Sequence, residues 1–359
     1  MNEPSNIGEA AEFVRTSETV VVSGAETKRP QEESAAARLS VKKLSGIVEY
    51  EPSEYTFTAL AGTSLSEIEE ALCANGQYLP FDPPLADAGA TLGGTVASGL
   101  SGPGRLRYGG LRDFLIGARF INGAGQIIQG GGKVVKNAAG FDYPKLLCGS
   151  MSTLGAIVET TFKVFPRPRS KRTLELTFPN LDKALEKIHE ITISKWEPDA
   201  LELIPTKNQI LLRLAGNEDA LKSRLPAILE QLKDCTPRQI PEDEAHSRWT
   251  EIQEFSWTGG EDWILKVPIT PSSVMKLESQ IREIGVKHHY SIACNLVWIA
   301  SNQTEDLTSI SSILERCKLT GVLVRGVQQR SLYGFHRKLA IHDAIKQTMD
   351  SEGKFPDLL

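Results

Sequence analysis

The sequence predicts an α+β protein, a glycine-rich mixed domain followed by a second α+β domain. Two observations carry this. Seventeen of the 30 glycines fall between Ala86 and Gly155, interleaved with the β-forming runs FLIGARFI, QIIQ and AIVETTFKVF. Beyond residue 170, a β-α-β-β-α-β order of elements reads twice. Glycine loses more backbone entropy on folding than any other residue, so dense glycine marks backbone brought close to other backbone or to a ligand. A flexible linker of similar glycine content would lack the interleaved β-formers. A nucleotide-cofactor cradle is therefore the expected role of this stretch.

Length and composition bound the answer. A chain of 359 residues allows two or three domains. Hydrophobic residues at 40% and charged residues at 24% suit an ordinary globular protein. The net charge of −5 argues against nucleic acid, which favours a basic surface. No apolar run is long enough to span a bilayer, and the start MNEPSNIGEAAEFV shows no secretory pattern. Cys73, Cys148, Cys235, Cys294 and Cys317 are scattered, odd in number and without a CxxC pair. That spacing fits a reducing cytoplasm and argues against a zinc or iron–sulfur site built from this chain alone.

Element by element, Ser5 caps an expected first helix carrying Ile7, Ala10, Ala11 and Val14 at helical spacing. The β-branched run Thr19 to Val22 enters Ser23-Gly24-Ala25-Glu26-Thr27-Lys28. A strand ending in such a turn exposes successive N–H groups and can cradle a phosphate; an ordinary turn fits the same residues. Residues 46–50 and 55–61 read as strands. Ser64, with Glu67 three residues on, forms a capping box for a helix with Leu65, Ile68 and Leu72 on one face. The strand 156–165 closes at PRPRS, the expected domain boundary.

The region Thr173 to Val327 then splits into two halves. The first has strands TLELTF, DALELI and QILLRLA with helices at 181–190 and 218–232, then a further strand. The second has strands WILKVPI, YSIAC, LVWIA and GVLVRGV with helices at 272–284 and 305–317. Each half is a ferredoxin-like split βαβ. The acidic run Glu242-Asp243-Glu244 between them reads as a solvated loop, and LYGFH opens the tail as a turn before a last helix.

Two familiar nucleotide motifs fail. Gly102-Pro103-Gly104 continues to Arg107 where a Rossmann fingerprint needs glycine, and Gly132-Lys133 is followed by Val134 rather than Ser or Thr. What remains is a set of ordered pieces. They are Gly24-Ala25-Glu26-Thr27-Lys28, then Ala90-Thr91-Leu92-Gly93-Gly94-Thr95-Val96-Ala97-Ser98-Gly99, Lys136-Asn137-Ala138-Ala139-Gly140-Phe141-Asp142, and Gly149-Ser150 to Leu154-Gly155-Ala156-Ile157. This pattern resembles the FAD-binding domain of the vanillyl-alcohol oxidase or p-cresol methylhydroxylase (PCMH) type. LPFDPP, ASGLSGP, LRDFLIGARFINGAG and KVFPRPR stand in the order seen in the FAD-binding subunit of bacterial glycolate oxidase, or glycolate dehydrogenase. The likeness covers about residues 7–170.

The resemblance implies a two-lobed PCMH-type domain over 1–170, with a small lobe to about residue 60 and a large lobe after it. It implies an α+β cap domain over 171–330 and a tail, 331–359, returning to the first domain. The implied FAD site comprises Gly24, Ala25, Glu26, Thr27, Lys28, Thr91, Leu92, Gly93, Gly94, Ser98, Gly99, Asn137, Gly140 and Ile157. Thr91 and Ser98 are expected to donate hydroxyl hydrogen bonds, Asn137 to meet the isoalloxazine edge, and the turn at Leu154–Ile157 to meet the adenine end. Loop 23–28 offers no His or Cys, and Cys148 follows two leucines in what reads as a buried strand, so the FAD is expected to be non-covalent.

The implied reaction is two-electron oxidation of a small 2-hydroxy acid, glycolate to glyoxylate. The implied partners are a larger flavoprotein subunit and an iron–sulfur subunit, in a cytoplasmic complex tied to the membrane through those partners. An autonomous dehydrogenase of another 2-hydroxy acid such as D-lactate, and a flavin-binding assembly subunit without turnover, stay open. No catalytic base is assigned. His288 and His289 read as a loop before a strand, Arg105, Arg107 and Arg112 as solvated charge or anion contacts, and Tyr333 and His336 carry weaker signals. The tail Asp350-Ser351-Glu352-Gly353-Lys354-Phe355 lacks the Asn and Arg of the family's closing motif.

Overall fold

The structure, a computed structural model, describes residues 1–28, 36–132, 141–260, 263–326, 331–337 and 339–357. The chain divides into two units: 1–101, 110–167 and 337–359 in one, 102–109 and 168–336 in the other.

In the first unit, helix Ile7–Thr16 buries Ala10, Ala11 and Val14. Its cap is Asn6, whose side chain accepts from the Glu9 N–H at 3.0 Å, rather than Ser5, which donates to the Glu9 carboxylate. Two strands, β1 (Val20–Ser23) and β2 (Ala37–Ser40), pair in parallel. The remaining strands are β3 (Ile47–Glu51), β4 (Thr56–Leu60), β5 (Gln77–Tyr78), β6 (Leu115–Ile121), β7 (Ile127–Gly131), β8 (Ala156–Lys163) and β9 (Phe165–Pro166). Five of them form an antiparallel sheet in the order β3-β4-β8-β6-β7. So β3 and β4, expected with the small lobe, belong to the large sheet. Phe57 and Phe162 stack at 5.7 Å on its inner face, with Phe81 6.2 Å from Phe162. Each such buried ring contributes about 1.5–3 kcal/mol. Helix Leu65–Cys73 adds Leu65, Ile68 and Leu72, capped by Ser64 as its sequence implies.

The tail closes this unit. The Lys354 ammonium donates to the Val14 and Arg15 carbonyls at 3.0 and 2.8 Å. A cation there satisfies the open C-terminal carbonyls of helix Ile7–Thr16 and complements its dipole. Asp350, 2% exposed, accepts from the Lys354 and Phe355 N–H groups and from the Lys346 ammonium. The altered motif therefore serves as an anchor.

The second unit contains β10 (Ser170–Thr177), β11 (Ala200–Ile204), β12 (Gln209–Gly216), β13 (Thr236–Ile240), β14 (Trp263–Pro268), β15 (Lys287–Ser291), β16 (Leu296–Ser301), β17 (Thr320–Arg325) and β18 (Leu332–Gly334). They make one antiparallel sheet in the order β13-β10-β12-β11-β15-β16-β14-β17-β18. Each half is β-α-β-β-α-β, and the halves meet where Leu203 of β11 faces Tyr290 of β15. Helices Leu181–Ile193, Glu218–Glu230, Val274–Ile284 and Thr304–Cys317 bury their apolar stripes in one shared core.

Three expectations are corrected in this unit. The run 242–244 is not a loop but the first turn of helix Glu242–Gln253. Acidic side chains are favoured at that end of a helix, and Pro241 just before it cannot extend a helix backwards. Trp249 docks this helix through its Nε1, which donates to Thr173 Oγ1 at 3.0 Å. Second, the strand expected at 290–294 is Lys287–Ser291, and the chain turns at Ile292, Ala293 and Cys294 with φ of 57°, 52° and 63°. His288 and His289 thus lie within a buried strand. Third, LYGFH contains the short strand β18 rather than only a turn.

The histidines are held by buried carboxylates. His289 Nε2 and Ser291 Oγ meet Glu202 at 2.7 and 2.8 Å, and His288 Nε2 and Tyr290 OH both meet Glu278 at 2.9 Å. Burial raises the Glu278 pKa, but hydrogen bonds from His288, Arg282 and Tyr290 outweigh it and hold the carboxyl below its ordinary 4.5. A carboxyl depressed in the folded state contributes stability above its unfolded pKa and loses it as pH falls through the folded value. Glu278→Gln is therefore expected to flatten the acid loss of stability below pH 4.5, read from urea midpoints at neutral and acid pH.

Candidate cofactor-binding site

The site begins where β1 ends. Parallel pairing with β2 uses the backbone of Val20–Ser23, and the chain then leaves the sheet through residues 24–28. Glu26 takes φ of 57°, which curls this segment into a concave loop. The N–H groups of Gly24, Ala25, Glu26 and Thr27 donate to no protein acceptor among the described residues. Ser23 Oγ is buried and likewise without a partner.

The second wall is helix Leu92–Ser98. Thr91 caps it, accepting from the Gly94 N–H at 3.4 Å. Gly93 sits so close to Ala61 that a Cβ would lie 2.6 Å from the Ala61 Cβ, and its N–H donates to the Ala61 carbonyl at 2.8 Å. Loop and helix touch at Gly24, where a Cβ would stand 2.4 Å from Thr91 Oγ1. Lys28, 5% exposed, donates its ammonium to Thr95 Oγ1 at 2.8 Å, and Thr95 donates in turn to the Thr91 carbonyl.

A third wall comes from 149–152. The N–H groups of Gly149 and Met151 donate to the Val96 and Ala97 carbonyls at 2.9 and 2.7 Å, closing the C-terminal end of the same helix. Met151 and Ser152 turn with φ of 51° and 62°. The cavity is open on one side, with a free volume of about 70 Å³.

Of the residues expected to hold FAD, Gly24, Ala25, Glu26, Thr27, Lys28, Thr91, Gly93, Gly94, Ser98 and Ile157 line this one cavity. Leu92 does not, being a fully buried core residue, and Gly99 is the left-handed C-cap with φ of 60°. Asn137 and Gly140 lie outside the described residues. Ser98 spends its hydroxyl proton on the Thr95 carbonyl at 3.1 Å, contrary to its expected role as a ligand donor. Ser23, Met151 and Ser152 also line the cavity and were not expected there. Cys148 caps the short helix Tyr143–Leu147 instead of lying in a strand.

The other sequence candidates go elsewhere. Arg107 pairs with Glu197 at 3.1 Å, and Arg112 Nε donates to the Lys145 carbonyl at 3.4 Å. Arg105 belongs to the second unit and is exposed. His288 and His289 are tied to Glu278 and Glu202. Tyr333 sits in β18, and His336 Nδ1 lies 2.9 Å from the Gly334 carbonyl. Among the described residues no group of three or more His, Cys, Asp or Glu could hold a metal ion, and no helix is long and apolar enough to cross a membrane.

The donors fit a diphosphate. Residues 24–27, whose N–H groups are unengaged among the described residues, line one small cavity with Ser23, whose hydroxyl has no partner there, and with the buried Lys28. An anion with several acceptor oxygens satisfies such a set.

Comparison with known proteins agrees. Residues 3–131 match the FAD binding domain family. The chain is 42% identical over 188 residues to glycolate oxidase subunit GlcE of Escherichia coli, covering 52% of each. It is 31% identical over 188 residues to glycolate oxidase subunit GlcD of Bacillus subtilis, covering 52% of this chain and 39% of that one. The matches thus span about half or less of the curated relatives' length. The fold is that of p-cresol methylhydroxylase, with a TM-score of 0.74 at 12% identity over 98% of this chain and 87% of the other.

Proposed function

We propose, on the match of residues 3–131 to the FAD binding domain family, that this chain is the FAD-binding subunit of a glycolate oxidase complex. In that complex it contributes to the two-electron oxidation of glycolate to glyoxylate. The observation that carries the reading is that residues 24–27, whose N–H groups are unengaged among the described residues, line one cavity with residues of helix Leu92–Ser98. Its partners would be a larger flavoprotein subunit and an iron–sulfur subunit, with the assembly cytoplasmic and joined to the membrane through them. Likeness to two glycolate oxidase subunits supports this choice over an unrelated oxidation.

Bound flavin supplies the two-electron acceptor. The chain's residues hold and orient it. Residues 24–27 would donate to the diphosphate oxygens, and the Lys28 ammonium, fixed by Thr95, would offset their charge. Gly24 and Gly94 add no side-chain atoms of their own to the cavity, and Thr91 stiffens the wall by capping its helix.

Anaerobic addition of glycolate to the purified chain, with and without its partner chains, tests the assignment. Bleaching of the flavin bands only with the partners is expected. Bleaching of the isolated chain by D-lactate but not glycolate would contradict it and favour an autonomous dehydrogenase. Non-covalent attachment makes a separate prediction: acid precipitation should leave the flavin in the supernatant. Yellow colour in the washed pellet would point to a covalent bond.

A further inference from the structure

One wall of the cradle is strained. Met151 and Ser152, which line the cavity, are consecutive non-glycine residues in the left-handed region, with φ of 51° and 62°. Such backbone persists only where the surroundings fix it. Before the turn they do so through helix Leu92–Ser98, whose Val96 and Ala97 carbonyls accept from the Gly149 and Met151 N–H groups. Within it, the Thr153 N–H and hydroxyl both donate to the Ser150 carbonyl, at 3.0 and 2.7 Å.

After the turn, the fixing group comes from the tail, 193 residues on. Lys346, in helix Ala340–Met349, donates its ammonium to the Thr153 carbonyl at 2.6 Å. The same ammonium meets Asp350 Oδ2 at 2.7 Å and the Phe355 and Pro356 carbonyls at 2.8 and 3.3 Å. The tail has other moorings. Asp350 accepts from the Lys354 and Phe355 N–H groups at 2.9 Å each, Lys354 reaches the first helix, and Phe355 is buried. What Lys346 adds to these is the bond to Thr153, the residue next to Ser152.

We propose that Lys346 is a positioning residue for FAD. From the tail it pins the C-terminal side of the 149–153 turn, and so holds Met151 and Ser152 in the shape that lines the cavity. It acts through the turn rather than by touching the cofactor. A wall fixed beforehand spares FAD the cost of ordering it on binding. A charge-assisted bond suits that task, being stronger than one between neutral groups. A lysine that only fastened the tail would need Asp350, Phe355 and Pro356 and no bond to Thr153. This role rests on the FAD reading of the cavity.

The test compares the full-length chain with Lys346→Met and with Lys346→Met/Asp350→Asn. The single change leaves the buried Asp350 carboxylate without its cation and costs stability. The double change removes that charge, so stability should largely return while the bond to Thr153 stays absent; it also carries the test where the single variant does not fold. Two quantities are read. One is the FAD dissociation constant, from flavin fluorescence quenching on titration of the apoprotein. The other is amide hydrogen exchange over 149–153 in the apoprotein. FAD binding roughly tenfold weaker and faster exchange are expected in both variants, even where the urea midpoint of the double variant matches the unmodified chain. FAD affinity that returns together with stability, or unchanged exchange at 149–153, would overturn the proposal and leave Lys346 a fastening of the tail. So would an equal loss of FAD affinity in Arg213→Ala, which breaks a buried ion pair in the second unit. An unmodified chain that binds no FAD would overturn the FAD reading and this role with it, whereas equal FAD binding by all three chains would overturn this role alone.

Discussion

Gly24→Val is expected to leave the protein folded and strip it of FAD. Even the first carbon of a side chain at residue 24 would lie 2.4 Å from Thr91 Oγ1. Thr91 cannot simply swing away, because its hydroxyl caps the helix wall at the Gly94 N–H. Losing such a cap costs about 1 kcal/mol, and overpacking typically costs about 1–3 kcal/mol. The remaining methyl groups of valine enter the small cavity that residues 24–27 line. That strain is carried by the folded chain with or without FAD, whereas the valine methyl groups in the cavity are expected to weaken FAD by roughly tenfold or more. Flavin fluorescence quenching on titration of the apoprotein measures it. The main chain itself should survive, since Gly24 is not in the left-handed region.

Arg213→Ala is expected to cause a large loss of stability, about 3–5 kcal/mol. Arg213 and Asp199 are 3% and 1% exposed and form an ion pair through Nε and Oδ2. Removing the guanidinium leaves a carboxylate buried without its counter-charge, which is the expensive way to break such a pair. The guanidinium also stacks over the Trp249 ring, 4.7 Å from its centroid. Helix Glu242–Gln253 therefore loses part of its seat. Urea denaturation should show the destabilisation. The double change Asp199→Asn/Arg213→Met should recover much of it, because no unpaired charge stays buried. Flavin bound per folded chain should not change, as the pair lies in the second unit.

Both predictions mark what was legible in the sequence. The repeated β-α-β-β-α-β order was readable because apolar positions such as Leu221 and Ile228, or Leu277 and Ile281, recur at helical spacing and bury together. The cradle was readable because Gly24, Gly93 and Gly94 each answer a local demand for close approach. Helix Glu242–Gln253 was not, since its burial rests on only three residues, Ala245, Trp249 and Ile252. Strand β15 was hidden for a different reason. Its residues KHHYS look like a polar loop, yet both faces are buried. One face is satisfied by Glu278 on a helix and the other by Glu202, far away in the chain. Such partners come from topology and leave no local pattern. Met151 and Ser152 escaped notice because left-handed backbone at non-glycine residues has no sequence signature.

The most direct measurement of the central claim is the visible absorption spectrum of the purified full-length chain beside that of Gly24→Val, with FAD quantified after extraction. Flavin bands and FAD equimolar with the unmodified chain are expected, with little or no FAD on a folded Gly24→Val. A colourless unmodified chain that takes up no added FAD, or equal FAD on both proteins, would contradict it.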